Sequence, residues 1–62
     1  MTWKVKVIDN ATGKNFEKEF DEWGQATDKM IEWGNNYTVK NQSVNIELYT
    51  PDNILLYTLI TP

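Results

Sequence analysis

Four carboxylates lie close together in the first third of the chain, and they are the side chains with the clearest potential for chemistry: Glu17, Glu19, Asp21 and Glu22. Paired acids can act as general acid and base on a glycosidic bond, or they can hold Ca²⁺. Here Glu17 and Glu19 are expected opposite lysines of a neighbouring strand, and Asp21 suits the N-cap of a helix. We therefore interpret the four residues as an exposed acidic patch and expect no metal site and no cofactor.

Nucleophilic catalysis has few candidate residues in this sequence. The 62 residues include no Cys and no His, and Ser43 is the only serine. Without an imidazole or a thiol there is no ordinary catalytic triad and no cysteine nucleophile. A catalytic lysine needs a desolvated environment, whereas the six lysines of this chain lie in polar or edge contexts. We predict that the protein is not an enzyme.

The charge balance makes several classes of partner improbable. The net charge is −3, with nine acidic residues against six lysines and no Arg. Nucleic-acid binding and attraction to an anionic membrane surface both favour clustered basic residues. The apolar run at residues 54–60 is too short to span a bilayer, and the first residues do not resemble a signal peptide. We expect a cytoplasmic protein of bacterial or phage origin, with neither nucleic acid nor membrane as a partner.

Residues 3–7 and 16–20 predict a β-hairpin with one apolar face and one charged face. The expected cross-strand pairs are Trp3 with Phe20, Lys4 with Glu19, Lys6 with Glu17 and Val7 with Phe16. Gly13 is the residue expected at positive φ in the connecting turn. Lys18 falls on the inward face, which is typical of an edge strand that avoids pairing with another chain.

Residues 22–33 have the 3.6-residue period of an amphipathic helix. Asp21 is the predicted N-cap, and Gly34 is predicted to end the helix as its C′ residue. Residues 35–43 are polar and are expected to form a loop or a short extended piece. All three tryptophans are expected on the core side, with Trp33 the most exposed of them.

Two further strands are predicted at residues 44–49 and 54–60, joined by a turn at residues 50–53. The expected core pairs are Leu48 with Leu55, Ile46 with Tyr57 and Val44 with Leu59. The last strand is apolar on both faces, which is typical of a central strand. It is therefore expected beside the first strand, running parallel to it.

Together these elements predict an α+β fold in one domain over residues 1–62. The element order is ββαββ, with a four-stranded mixed sheet in the order 2-1-4-3 and one helix packed on one face. This order, together with Met1-Thr2-Trp3-Lys4 at the start, resembles the immunoglobulin-binding domains of protein G and the minimal β-grasp plan. The resemblance implies a fold only, because the antibody-contacting residues of that family find no match here.

A single helix covers one face of a sheet, so the other face should be open to solvent. The apolar residues expected there are Ile8, Tyr49, Ile54, Leu56 and Ile60. Contiguous exposed apolar patches of this kind usually mark an interface. We predict a small non-catalytic protein-interaction module that self-associates as a homo-oligomer through this outer face. The alternative is an acidic inhibitor or decoy, of the phage or mobile-element type, that binds a basic host enzyme through the acidic patch.

Overall fold

The alternating and helical apolar patterns of the sequence correspond to strands and a helix in the computed structural model of the protein, which describes residues 1–61. The elements are β1 (Trp3–Asp9), β2 (Asn15–Phe20), α1 (Trp23–Val39), β3 (Val44–Tyr49) and β4 (Leu55–Ile60). The α+β class and the ββαββ element order are confirmed. All four strands form one open sheet, and α1 packs against one of its faces.

The β1–β2 hairpin has the predicted register. Trp3 lies opposite Phe20 and Lys6 lies opposite Glu17. The turn between the strands places Gly13 at a φ of +76°, a conformation that costs glycine little because it has no Cβ. β2 forms one edge of the sheet, as the inward-facing Lys18 indicated.

The predicted strand order is wrong. The sheet has the order β2-β1-β3-β4, and every neighbouring pair is antiparallel, so β3 rather than β4 lies beside β1. A cross-strand charge pattern explains this arrangement, because Lys6 lies between Glu17 on one side and Glu47 on the other. Opposite charges on facing residues stabilise a strand pair, whereas β4 would offer Lys6 no charged neighbour.

The predicted pairing of β3 with β4 is also wrong, by two residues. Ile46 lies opposite Leu59 and Leu48 lies opposite Tyr57, and a bulge near the start of β4 then places Leu55 opposite Tyr49. Hydrogen bonds of Thr61 secure this register: its N–H donates to the Val44 carbonyl over 3.0 Å, and its Oγ1 accepts from the Val44 N–H over 2.8 Å.

The helix is longer than predicted. It begins at Trp23 after Glu22 as N-cap, which makes no side-chain capping bond, so Asp21 does not have the predicted capping role. It runs through Gly34 to Val39, and Asn41 follows with a φ of +59°. Gly34 is buried inside the helix because the strand beneath approaches it closely. A Cβ there would lie 2.5 Å from Cδ2 of Leu59.

The core lies between α1 and the two central strands. Its buried apolar residues are Val5, Val7, Ala26, Met30, Val44, Ile46 and Leu48, and Trp3, Phe20, Trp33 and Tyr37 pack around them. Phe16 meets Trp33 edge to face at a centroid distance of 5.4 Å. Trp23 is half-exposed at the start of the helix, so the prediction that all three tryptophans face the core is wrong for this one.

Candidate interaction surface

β4 is the edge strand opposite β2, and it is solvent-exposed along its whole length. Every buried residue of β3 lies under the helix, whereas no residue of β4 is buried. The exposed hydrophobic side chains of this region form what we call the β4 surface: Ile54, Leu55, Leu56, Tyr57, Leu59 and Ile60. Apolar atoms are thus concentrated at one rim of the sheet.

The outer face of the sheet carries part of the predicted interface. Ile60 lies opposite Asn45, and its side chain is 65% exposed. Leu56 is exposed on the same strand, and Ile54 is exposed in the turn just before β4 begins. Ile8 and Tyr49 are only half-buried positions of the central strands. The exposed apolar part of this face therefore lies at the β4 side.

Tyr49 is held by a hydrogen bond on the outer face. Its hydroxyl donates to Oε1 of Glu47 over 2.8 Å. This bond is the main reason why the pKa of Tyr49 is raised above its ordinary value of 10.0, and desolvation and the negative charges of Glu47 and Glu17 add to it. The polar group on the ring fits an interface border better than an interface centre.

The helix-facing side of β4 borders a shallow groove of about 260 Å³. Leu59 and Gly34 form its floor, and the exposed Ile31 of α1 stands at its wall. Apolar side chains are therefore accessible on both faces of this strand.

The acidic patch lies at the other end of the molecule. Glu17 and Glu19 are exposed on β2, with Lys6 and Lys4 opposite them in register. Asp21 and Glu22 are exposed between β2 and α1.

A wide groove of about 640 Å³ separates β2 from the helix. It is lined by Thr2, Lys18, Glu19, Phe20, Asp21, Gln25, Asp28, Lys29 and Glu32. Lys29 forms an ion pair with Glu32 over 2.8 Å, and its ammonium also lies 5.7 Å from the centre of the Trp33 ring. The lysines therefore interrupt the negative charge.

A third concavity, of about 300 Å³, lies between the end of α1 and the β1–β2 turn. Gln42 donates a hydrogen bond to Asp9 across it over 3.2 Å, so its main polar groups bond to each other. No group of acidic, His or Cys side chains within residues 1–61 has the arrangement of a metal site.

The sequence identified Ile54, Leu56 and Ile60 as exposed, but it placed Leu55, Tyr57 and Leu59 in the core. All three are exposed in the structure: Tyr57 and Leu59 because β4 lacks an outer neighbour, and Leu55 because the bulge places it on the outer face opposite Tyr49. The sequence signal for this exposure is the apolar character of both faces of β4. That pattern fits an edge strand that pairs with another chain as well as it fits a central strand.

Comparisons of the chain with protein-family models, with curated proteins and with solved structures found no significant match. The helix α1 is neither long nor apolar enough to cross a membrane, and the described part of the chain contains no other helix.

Proposed function

We propose that this chain is a non-catalytic protein-interaction module that self-associates through the β4 side of its outer sheet face. The observation that supports this proposal is the exposure of Ile54, Leu56 and Ile60 along one rim of the sheet. Burying apolar surface contributes roughly 25 cal/mol per Å². A chain of 62 residues has a small core, so association also stabilises its fold.

An acidic inhibitor or decoy has less support. Its carboxylates are spread over β2 and the start of α1, and lysines stand among them. Exposed mixed charges of this kind interact weakly in water. The β4 surface, by contrast, contains no charged residue.

The proposal is tested by sedimentation of the 7.3-kDa chain from low micromolar to millimolar concentration. We expect the weight-average mass to rise toward twice the monomer value. Leu56→Asp should keep the chain monomeric over this range, because pairing would desolvate the new carboxylate among aliphatic groups.

Val39→Asp is the matched control. Val39 is highly exposed at the last residue of α1 and does not line the groove that the helix forms with β4, so it carries the same new charge outside the β4 surface. This variant should associate like the wild type. A wild type that stays monomeric at millimolar concentration, or two variants that behave alike, would contradict the proposal.

A further inference from the structure

We infer that β4 pairs edge to edge with β4 of a second copy, antiparallel and centred on Thr58, so that two sheets join into one of eight strands. This inference rests on the proposed function and gives the self-association a defined geometry. Its starting point is the edge itself. An unpaired edge strand presents free backbone N–H and C=O groups that can hydrogen-bond to another strand.

Hydrogen bonds at the strand ends show which backbone groups of β4 are free. Along two antiparallel strands, every second pair of facing residues exchanges backbone hydrogen bonds. The residues of the pairs in between direct their backbone N–H and C=O groups away from the partner strand. Thr61 donates to the Val44 carbonyl, so the pairs Ile46–Leu59 and Leu48–Tyr57 also exchange hydrogen bonds. Residues 58 and 60 consequently direct their N–H and C=O groups to the open edge.

The other side of β3 gives an independent check. The N–H of Asn10 donates to the Ser43 carbonyl over 3.1 Å, so β1 bonds to residues 45, 47 and 49 of β3. Residues 44, 46 and 48 are thereby left for β4, in agreement with the alternation deduced from Thr61. The directions of the β4 backbone groups are thus supported from both sides of β3.

Only certain registers use these free groups. If Thr58 pairs with Thr58 of the second copy, Tyr57 lies opposite Leu59 on the helix face, and Ile60 comes opposite the bulge at Leu56. Leu56 is the extra residue at the bulge, so the ladder is regular over residues 57–60. The facing pairs of this regular stretch are then either two hydrophobic residues or two threonines, combinations that stabilise strand pairs.

The opposite edge cannot pair with itself in this way. The Asp9 N–H donates to the Lys14 carbonyl over 2.8 Å, so the free backbone groups of β2 belong to Asn15, Glu17 and Glu19. An antiparallel self-pairing centred on residues 17–19 places two glutamates or two Lys18 side chains opposite each other, and one centred on Phe16 places Lys14 opposite Lys18. Like charges directly opposite are destabilising. β4, which carries no charge, is therefore the edge that suits a second copy.

The area available indicates how strong this pairing should be. The exposed fractions of the β4 surface add up to about three whole hydrophobic side chains, on the order of 500 Å² per copy if each is worth about 150–250 Å². Ile31 would add to this on the helix side. Edge pairing covers only part of each side chain, so about 1,000 Å² is the upper bound of the total; this is near the lower limit for a specific interface, and we expect micromolar or weaker affinity.

Single cysteine substitutions test the register. The wild-type sequence contains no cysteine, so each variant has one thiol at a known position. Facing Cα atoms of a hydrogen-bonded antiparallel pair are about 5.5 Å apart, within the range that a disulfide bridges. Under a glutathione redox buffer, Thr58→Cys should form a covalent dimer at least about tenfold faster than Glu17→Cys, because pairing raises the local thiol concentration toward millimolar. In a mixture, Tyr57→Cys and Leu59→Cys should favour the mixed disulfide.

Proline variants provide a second measurement. Thr58→Pro removes an N–H that points outward, so it should abolish dimerisation while circular dichroism shows the fold retained. Glu17→Pro makes the same change at the β2 edge and should leave the dimer intact. If wild type dimerises but Thr58→Cys reacts no faster than Glu17→Cys, the edge pairing is overturned and the proposed function survives. If wild type is always monomeric, both are overturned.

Discussion

Gly34 of the helix and Leu59 of the edge strand are in direct contact, and the absence of a side chain at Gly34 allows it. Gly24, in the first turn of the same helix, has no atom within 4 Å of the place its Cβ would occupy. Gly24→Ala should therefore stabilise the protein by up to about 1 kcal/mol through helix propensity. Gly34→Ala must displace the end of the Leu59 side chain, which lies on an exposed strand and can rotate, so the same gain should be largely offset and the net change in stability should be near zero.

Urea unfolding of both variants measures this difference. In a Leu59→Ala background the clash at Gly34 is gone, so Gly34→Ala should become stabilising there. Equal stabilisation by both alanines in the wild-type background would show that the helix and β4 do not touch at this point.

Thr61 should matter more for stability than its place near the end of the chain indicates. Its hydroxyl accepts from the buried Val44 N–H and donates to the Gln42 carbonyl, each over 2.8 Å. Thr61→Val leaves these buried groups without partners and should cost about 1–3 kcal/mol. Thermal unfolding checks this, at roughly 4–8 °C per kcal/mol for a domain of this size. The exposed Thr58→Val is the control and should unfold within a few degrees of the wild type.

The position of Lys6 between Glu17 and Glu47 predicts a test of the strand order. Lys6→Glu places like charges opposite on both sides and should cost about 0.5–2 kcal/mol at low salt. Adding Glu47→Lys should restore about half of that loss. In the control double variant Lys14→Glu/Glu47→Lys, the two changes in unfolding free energy should simply add, because Lys14 is not opposite Glu47 in the sheet. Additivity of the Lys6 pair would argue against β1 and β3 as neighbours.

Tyr49 should make the stability of the protein depend on alkaline pH. Its pKa is raised in the folded state, so its contribution is fully present below the unfolded value of about 10 and is lost as the pH rises through the folded pKa. The stability advantage of wild type over Tyr49→Phe should therefore be constant at neutral pH and shrink above pH 10. A phenolate difference spectrum between the two proteins should have its midpoint above pH 10. A midpoint at or below 10 would show that the Glu47 bond is not formed in solution.

The β1–β2 hairpin could be predicted because its apolar pairs, its charge pairs and its glycine turn all require the same register. The β3–β4 register could not, because a shift of two residues leaves Tyr57 and Leu59 on the same face, and the bulge that moves Leu55 to the other face has no signal in the pattern. Ile46 meets a hydrophobic residue in either register. The hydrogen bonds of Thr61, which lies beyond the alternating segment, distinguish the two.

The helix end was mispredicted for a different reason. A glycine lowers the stability of a helix by roughly 1 kcal/mol relative to alanine, so the sequence alone favours a helix that ends at Gly34. Tyr37 continues the same helix face as Met30 and packs against the core, and this burial outweighs the cost. Whether the helix continues past Gly34 depends on how closely the sheet approaches it. The spacing of apolar residues in the sequence does not give that distance.

The two rims of the sheet differ in a way that limits assembly size. Stacking copies end on end would require β4 of one copy to lie along β2 of the next, with Glu17 and Glu19 against leucine and isoleucine. Desolvating those carboxylates without partners is costly, so a fibre cannot grow from this contact. In the proposed eight-stranded sheet, β2 with its glutamates forms both outer edges and does not pair further. The expected assembly is therefore a dimer.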